Sequence, residues 1–289
     1  MNLSMITAAN SFGQIQHQID TLSHNVANVN TTGYKRREAS FQDLLTENIR
    51  NQPHAHREVG RRTPYGIRVG HGVKLAATSL RTEQGAVRQT DRPLDFMIEG
   101  DGWFRILHTY TDADGNEYEE MLYTRDGNFH AQPHPTQPGQ LRLVTAQGLP
   151  VLDTEGEEIT FADDFERIQA DEDGTLNVYP PFGEAQTFTL GLARIHRPDI
   201  LEAVGENGFR LSVAEEELLA NGGMNLINLA ALDGDERPAN IRQGALEMSN
   251  VDLTQEMTNL ITAQRLLQFQ SRAISMADEM MGLANSIRG

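Results

Sequence analysis

The fold is decided by residues 12–26, which read Phe12-Gly13-Gln14-Ile15-Gln16-His17-Gln18-Ile19-Asp20-Thr21-Leu22-Ser23-His24-Asn25-Val26. Apolar residues recur in this stretch at alternating steps of three and four: Phe12, Ile15, Ile19, Leu22 and Val26. The same spacing extends back to Met1 and forward to Val29. It places every apolar side chain along one seam of an α-helix, as in a coiled coil. The sequence therefore predicts an N-terminal helix with a narrow apolar seam.

A second heptad pattern occupies the other end of the chain. Its seam residues lie seven positions apart: Leu246, Leu253, Leu260, Leu267 and Ile274. The intervening seam positions are mixed, because residue 257 is methionine whereas residues 264, 271 and 278 are polar. We therefore predict that residues 1–45 and 243–289 contain two helices that pair as a coiled-coil assembly domain.

The middle of the chain has a different pattern. Turn sequences such as Asp126-Gly127 and Asp173-Gly174 recur at intervals of about ten residues. Short strand-like runs, such as the one from Trp103 to Leu107, lie between them. Evenly spaced turns with short strands are typical of antiparallel sheets. We predict an α + β protein with a central, mostly antiparallel β domain over residues 96–221, joined to the helices by extended connecting segments at 46–95 and 222–242.

The outer face of the N-terminal helix carries almost no charge. Asp20 is the only charged residue between Met1 and Tyr34. The positions off the seam hold neutral amides and hydroxyls: Asn10, Ser11, Gln14, Gln16, Gln18, Ser23 and Asn25. A face in contact with water normally carries charged residues, and neutral polar groups cost less free energy to bury. We expect other subunits to cover this face; the alternative is an ordinary two-helix pair at the edge of a monomer.

Composition excludes several classes of partner and site. The 24 Lys and Arg against 41 Asp and Glu give a net charge of −17, which disfavours nucleic acid and anionic membranes. The absence of cysteine excludes disulfides, thiolate catalysis and cysteine-based zinc sites. Residues 1–30 lack the pattern of a secretory signal, and no apolar run reaches the roughly 18–20 residues that span a bilayer. We expect no direct membrane insertion.

Two groups of residues resemble metal sites and are better explained otherwise. The stretch Asp112-Ala113-Asp114-Gly115-Asn116 begins like a calcium loop, but Glu117 and Tyr123 stand where that loop needs glycine and a bidentate glutamate. His54 and His56 have no further zinc ligand near them in the sequence. We therefore predict no catalytic, cofactor-binding or metal-binding residues, and no enzyme activity.

The N-terminal seam runs into a longer motif, Ser23-His24-Asn25-Val26-Ala27-Asn28-Val29-Asn30-Thr31-Thr32-Gly33-Tyr34-Lys35. This motif resembles the N-terminal signature of the bacterial flagellar rod and hook protein family. The residues that carry the resemblance are Asn25, Ala27, Asn28, Asn30, Thr31, Gly33 and Tyr34. The chemistry fits a helix end, because the asparagines can cap it and Gly33 accepts a positive φ. Residues 94–104 and 246–253 also resemble the family's β-domain entry and C-terminal helix.

The resemblance covers most of the chain and implies a structural protein of the flagellar hook-basal body. It implies self-assembly, with neighbouring rod and hook proteins, into a hollow helical shaft that transmits torque. It also implies delivery to the basal body by the flagellar type III export apparatus without a cleaved signal peptide. The length and the single β domain favour a distal-rod-like member over the hook protein.

Two other functions are compatible with the residues themselves. One is a secreted oligomeric binding or tip protein, in which the acidic β domain recognises a ligand. The other is a cell-wall glycan hydrolase that uses acidic residues of the β domain. Open helical self-association without turnover would distinguish the flagellar function from both.

Overall fold

The computed structural model describes residues 3–43, 46–49, 67–70, 73–112, 115, 117–205, 207–213, 215–232 and 238–288. The chain divides into two compact units. Unit 1 contains residues 1–27, 37–79 and 252–289, and unit 2 contains residues 28–36 and 80–251. Each unit is therefore assembled from segments that are distant in sequence.

Unit 1 contains the two long helices of the chain, α1 (Leu3–Ala27) and α3 (Leu253–Arg288). Strand β1 (Arg37–Asp43) pairs with β4 (Val73–Leu80), and β2 (Thr46–Ile49) pairs with β3 (Ile67–Gly70). The existence of a helix near each end of the chain confirms the prediction from the heptad patterns. In the part of the chain that the structure describes, no helix combines the length and apolarity needed to cross a bilayer.

Helix α3 begins at a capping residue. The Asp252 carboxylate accepts hydrogen bonds from the backbone N–H groups of Thr254 at 2.9 Å and Gln255 at 3.2 Å. Such bonds satisfy two of the backbone donors that have no partner within a helix. The cap fixes the start of the C-terminal helix at residue 253.

In its described residues, unit 2 is a β domain with one short α-helix, α2 (Glu215–Ala220). Its first strands are β5 (Val87–Gln89), β6 (Phe96–Gly100), β7 (Trp103–Thr111), β8 (Glu117–Thr124), β9 (Phe129–Pro133), β10 (Gln140–Thr145), β11 (Thr160–Ala162) and β12 (Arg167–Ala170). The later strands are β13 (Thr175–Tyr179), β14 (Gln186–Thr189), β15 (Leu192–Ile195), β16 (Leu201–Gly205), β17 (Gly208–Leu211), β18 (Met224–Ile227), β19 (Ala239–Gln243) and β20 (Ala245–Glu247).

The strands of unit 2 form several small sheets and one larger one. The larger sheet has the order β16-β17-β8-β7-β15-β18. Two three-stranded sheets, β11-β10-β9 and β12-β13-β14, and the pairs β19-β6 and β20-β5 complete the unit. These pairings are antiparallel, which confirms the predicted antiparallel β domain.

The β7–β8 hairpin organises the core of unit 2. Successive residues of a strand point to opposite faces of the sheet. One face carries Phe104, Ile106 and Leu122 into the larger apolar cluster, and the other carries Trp103 and Tyr123 into a smaller one. The same two strands therefore supply both clusters.

Unit 2 extends beyond the boundaries predicted for the β domain. Residues 80–95 and 222–242, which the sequence suggested were connecting segments, belong to it, as do residues 28–36. The extension arises because β5 pairs with β20 and β6 pairs with β19, so that segments from both sides of the domain complete its sheets. Residues 51–66 of the predicted connecting segment, which include His54 and His56, lie outside the described residues, as does most of the calcium-like stretch.

Candidate assembly interface

The two long helices of unit 1 pack along the predicted N-terminal seam. Ile15 and Leu22 are buried in one apolar cluster with Ala263 of α3. The partly buried residues packed against this cluster are Ile19, Leu260 and Leu267. Phe12 and Val26 on α1 and Ile274 on α3 are half-buried. Burying an isoleucine or leucine side chain contributes about 1.5–3 kcal/mol, so the seam stabilises the helix pair within one chain.

The buried stripe of α3 differs in register from the one that the sequence suggested. Its residues follow steps of three and four and are all buried or half-buried: Glu256, Leu260, Ala263, Leu267, Gln270, Ile274 and Ala277. The polar seam candidates Gln264, Ser271 and Asp278 are exposed. The intervening seam positions, which we call the second row, are therefore residues 256, 263, 270 and 277. Each lies one residue closer to the N-terminus than predicted. Ala263 in that row is small and packs in the same cluster as Ile15 and Leu22 of α1.

Two residues of the predicted C-terminal seam have other roles. Leu246 is buried in strand β20 of unit 2, so it does not belong to helix α3. Leu253 is the first residue of α3, and 46% of its surface is exposed. The heptad spacing extended upstream of the helix because a buried leucine of strand β20 and the exposed first leucine of α3 happened to lie seven residues apart.

Asn25, which was predicted to lie on the outer face of α1, is buried. Its side-chain amide donates to the backbone carbonyl of Arg37 at 2.8 Å and to Oε2 of Glu256 at 3.3 Å. Its Oδ1 accepts a hydrogen bond from the backbone N–H of Arg37 at 3.0 Å. A single asparagine thus connects α1 with the start of β1 and the first turn of α3. Satisfied polar groups of this kind fix the register of paired helices.

Helix α3 also carries a row of exposed apolar side chains. This row, which we call the α3 stripe, consists of Phe269, Met276, Met280, Leu283 and Ile287. Phe269 is 66% exposed and Ile287 is 86% exposed. Their spacing in steps of three, four and seven places them on one face of the helix. A row of exposed apolar side chains on one helix face is a candidate interaction surface.

The N-terminal motif continues into unit 2 as a turn. The backbone N–H of Thr31 donates to the carbonyl of Asn28 at 3.2 Å, and Gly33 has a φ of 67°. The positive φ confirms the prediction for Gly33. A Cβ added to this glycine would overlap the backbone of Arg125 and Asp126. Glycine is therefore required both for the backbone angle and for the close approach.

Three charged side chains are buried together beside this turn. Lys35 Nζ lies 2.6 Å from Glu247 Oε1, and Arg125 Nη1 lies 3.4 Å from Glu247 Oε2. The Gly85 backbone N–H donates to Glu247 Oε1 at 2.8 Å, and Lys35 also donates to the carbonyl of Glu83 at 2.8 Å. One carboxylate thus holds together segments from three parts of the sequence. We call Lys35, Arg125 and Glu247 the charge cluster.

Burial of the charge cluster is unfavourable in free energy for its charged side chains. Burial lowers the pKa of Lys35, and the Glu247 carboxylate opposes that change. Burial also lowers the pKa of Arg125, again opposed by Glu247. The Arg125 guanidinium lies 5.4 Å from the centre of the Trp103 ring, a cation–π contact. Removing ions from water is unfavourable unless a counter-ion and hydrogen bonds compensate, and Glu247 is the shared counter-ion here.

Asp126 lies beside the same turn. It accepts hydrogen bonds from the Thr32 hydroxyl at 2.9 Å and from the Asn128 backbone N–H at 3.2 Å. Burial nevertheless raises the pKa of Asp126 above its ordinary value of 3.8. At a pH between the ordinary pKa and the raised pKa of Asp126, the carboxyl group is protonated in the folded protein but ionised in the unfolded chain. The free energy of unfolding therefore falls as the pH rises through this range.

We expect Asp126→Asn to raise the melting temperature of unit 2 near neutral pH. The amide keeps an oxygen acceptor at Oδ1 and removes a charge that burial penalises. Below pH 3.8 the wild-type carboxyl is also protonated, so the difference should disappear. Thermal melts at both pH values measure the effect, with the exposed Asp163→Asn as control. A lower melting temperature near neutral pH would contradict this account.

Tyr123 belongs to a second polar group in unit 2. It lines a cavity of about 350 Å³ together with Glu215, which lies 3.7 Å from the guanidinium of Arg105. Burial and the Glu215 charge raise the pKa of Tyr123 above its ordinary value of 10.0. The phenol therefore remains protonated at physiological pH. Among the described residues, no three His, Asp or Glu side chains converge as possible metal ligands.

The charge cluster was not predicted from the sequence. Lys35 is the first Lys or Arg in the chain, and it follows a long stretch whose only charged residue is Asp20. This isolated position could have indicated that Lys35 has a specific role. Glu247 lies between Leu246 and Met248 in a strand-like run, where a solvated glutamate is unexpected. Neither position indicates its partner, because the contact joins residues 212 positions apart.

Three family models match the chain. The one described as flagella basal body rod protein matches residues 6–35, and the flagellar hook protein FlgE/F/G D1 domain matches residues 97–178. The flagellar basal body rod FlgEFG protein C-terminal model matches residues 242–287. The matched segments contain Lys35, Arg125 and Glu247, so the whole charge cluster lies within the family regions.

Several relatives match over nearly their full length. The flagellar hook-basal body complex protein FlhP of Bacillus subtilis is 37% identical over 99% of each chain. The flagellar basal-body rod protein FlgG of Borreliella burgdorferi is 34% identical over 100% of this chain and 99% of its own. FlgG of Caulobacter vibrioides is 34% identical over 98% of each. The chain therefore belongs to the flagellar basal-body rod and hook protein family and is a structural component of the flagellum.

Proposed function

We propose that this chain is a distal-rod-like subunit that self-assembles through its terminal helices into a hollow helical shaft transmitting torque to the hook. The similarity to proteins named FlgG supports the rod, and the length with a single β domain supports a distal-rod-like member. The observation that carries self-assembly is the α3 stripe, which one chain leaves exposed.

The α3 stripe favours association because its side chains are large and apolar. Moving each such side chain from water into a protein interface contributes about 1.5–3 kcal/mol. The buried seam on the same helix is already occupied by α1, so the stripe must be covered by a different surface. When the covering surface belongs to another part of a second copy, each copy adds the next one, and an open helical polymer results if the rotation between copies does not close a ring.

The helices are proposed to form a coiled coil in the assembled shaft. The steps of three and four along α1 and along the buried stripe of α3 are the spacing that coiled coils use. Exposed neutral side chains on α1, such as Gln16 and Ser23, can form hydrogen bonds with a neighbouring copy without the cost of burying a charge.

The proposed partners are further copies of this chain, neighbouring rod and hook proteins, and the flagellar type III export apparatus. Export without a cleaved signal peptide is the route that the family resemblance implies. A non-catalytic role is supported by the structural nature of the family.

The test of this proposal uses Phe269→Asp, which adds a charge to the α3 stripe. We expect purified wild-type protein to form elongated polymers, visible by electron microscopy and measured by sedimentation, and the variant to remain monomeric. The matched control is Gln268→Asp, which adds the same charge at the neighbouring exposed position and should leave polymerisation intact. The melting of unit 2 should be the same in all three proteins.

Two results would overturn the proposal. Closed oligomers of fixed size, unaffected by Phe269→Asp, would favour the secreted oligomeric binding protein. Polymers formed equally well by Phe269→Asp would show that the α3 stripe is not the assembly surface.

A further inference from the structure

Phe182 stands out among the surface residues of unit 2. It lies in the turn between β13 and β14, and 93% of its surface is exposed. The other exposed large apolar residues described in this unit are only 39–48% exposed. Single exposed apolar residues are common, but a phenylalanine that is almost completely in contact with water is the largest unfavourable exposure in the β domain.

The turn that carries Phe182 is supported from its base. Val178 pairs with Gln186 across the hairpin, and the Arg167 guanidinium lies 4.7 Å from the centre of the Tyr179 ring. The turn begins with Pro180-Pro181, whose rings fix two φ angles. Because the backbone of this turn is already restrained, less conformational entropy is lost when its phenylalanine enters a partner.

A cavity elsewhere in unit 2 has a suitable size and lining. Its volume is about 430 Å³, which is near the lower end of ligand-binding cavities. Apolar lining comes from Ile106, Leu122, Leu149 and Val204, and polar lining includes His108 and Asp126. Such a cavity suits one large aromatic side chain with polar groups of its own turn at the rim.

The cavity continues into an exposed row of aromatic rings. His108 lines the cavity and stacks on Tyr110 at 5.8 Å, and Tyr110 stacks on Tyr118 at 5.6 Å. Tyr110 and Tyr118 are 44% and 45% exposed. Aromatic rings pair favourably with one another, so an incoming phenylalanine gains contacts at the rim as well as inside.

His108 also has an unused hydrogen-bonding atom. Its Nδ1 is buried and has no hydrogen-bond partner among the described residues. A peptide turn brings backbone N–H and C=O groups with it, and one or the other can bond with an imidazole nitrogen in either protonation state. The cavity therefore offers apolar contact to a ring and a polar contact to the backbone that carries it.

We propose that Phe182 of one copy inserts into the cavity lined by Ile106, Leu122, Leu149 and Val204 of a second copy. Phe182 does not line the cavity of its own chain and is exposed there, so both groups are available to other copies. Such a contact is heterologous and leaves a free phenylalanine and a free cavity at the two ends, so it propagates as an open polymer when the rotation between copies does not close a ring. This inference rests on the proposed self-assembly and adds a contact between β domains.

Disulfide trapping tests the contact directly, because the chain contains no cysteine. We expect a mixture of Glu184→Cys protein, which keeps Phe182 and carries its thiol in the same exposed turn, and Gln147→Cys protein, whose thiol lies at the exposed rim of the cavity, to form a mixed disulfide dimer under assembly conditions. The control mixture replaces Gln147→Cys by Asp163→Cys, an exposed position outside the cavity lining. Equal yields from both mixtures, or dimers of Glu184→Cys alone, would overturn the proposal.

A second measurement separates this contact from self-assembly through the helices. Phe182→Ala should raise the protein concentration needed for polymerisation by roughly 10- to 100-fold, with unit 2 melting unchanged because the side chain contacts little in the monomer. Polymerisation that is abolished by Phe269→Asp but unaffected by Phe182→Ala would reject the β-domain contact and retain the proposed function. The absence of any polymer from wild-type protein would reject the proposed function itself.

Discussion

Glu247→Ala is expected to lower the free energy of unfolding of unit 2 by about 3–5 kcal/mol, because it leaves Lys35 and Arg125 buried without their counter-ion. The side chains of all three residues are at most 2% exposed. The Gly85 backbone N–H would also lose its acceptor. Urea unfolding followed by the fluorescence of Trp103, the single tryptophan of the chain, measures the change close to Arg125.

Two control variants identify the cause of that loss. Glu247→Gln preserves the shape of the side chain and removes its charge, so we expect it to destabilise unit 2 nearly as much. Glu99→Ala breaks the exposed ion pair between Arg242 and Glu99 and should change stability by less than about 1 kcal/mol. Glu247→Ala and Glu99→Ala with equal effects would show that burial does not govern the charge cluster.

Gly33→Ala is expected to destabilise unit 2 by about 2–5 kcal/mol, because a left-handed backbone angle and a steric overlap act together. The φ of Gly33 is 67°, and an added Cβ would lie 2.6 Å from the carbonyl carbon of Arg125. Neither the turn nor the Arg125 backbone can move freely, since both adjoin the charge cluster. Chemical denaturation of the two proteins measures the difference.

Gly139→Ala separates the two contributions. Gly139 has a φ of 84°, and an added Cβ would have no heavy atom within 4 Å. The control therefore carries the backbone strain without the overlap, and we expect it to cost only about 1–2 kcal/mol. Equal costs at the two positions would show that the close approach at Gly33 has no energetic importance.

The sequence predicted those features that depend on neighbours along the chain. The seam through Ile15, Ile19 and Leu22 identified helix α1, because helical periodicity is a local property. Gly33 was recognised as a turn residue for the same reason. Antiparallel strands between regular turns were also predicted, since each hairpin joins adjacent segments.

Features that depend on distant segments were missed. The second row of the α3 seam could not be placed, because Ala263 and Gln264 are both compatible with a helix and only packing against α1 distinguishes them. Asn25 was predicted to lie on the outer face of α1, because its partners Arg37 and Glu256 belong to other segments and could not be identified from the sequence. The strand pairs that widen unit 2 were missed because short strands with exposed residues, such as β5, have no clear alternating pattern.

Lys35 and Glu247 are 212 positions apart in sequence, so unit 2 cannot be completed until nearly the whole polypeptide has been synthesised. Until then, β5 and β6 also lack β20 and β19, the strands with which they pair. Contacts between remote segments form slowly, because a long loop must close first. The charge cluster and these two strand pairs can therefore form only after residue 247 has been synthesised, later than hairpins between adjacent segments such as β7 and β8.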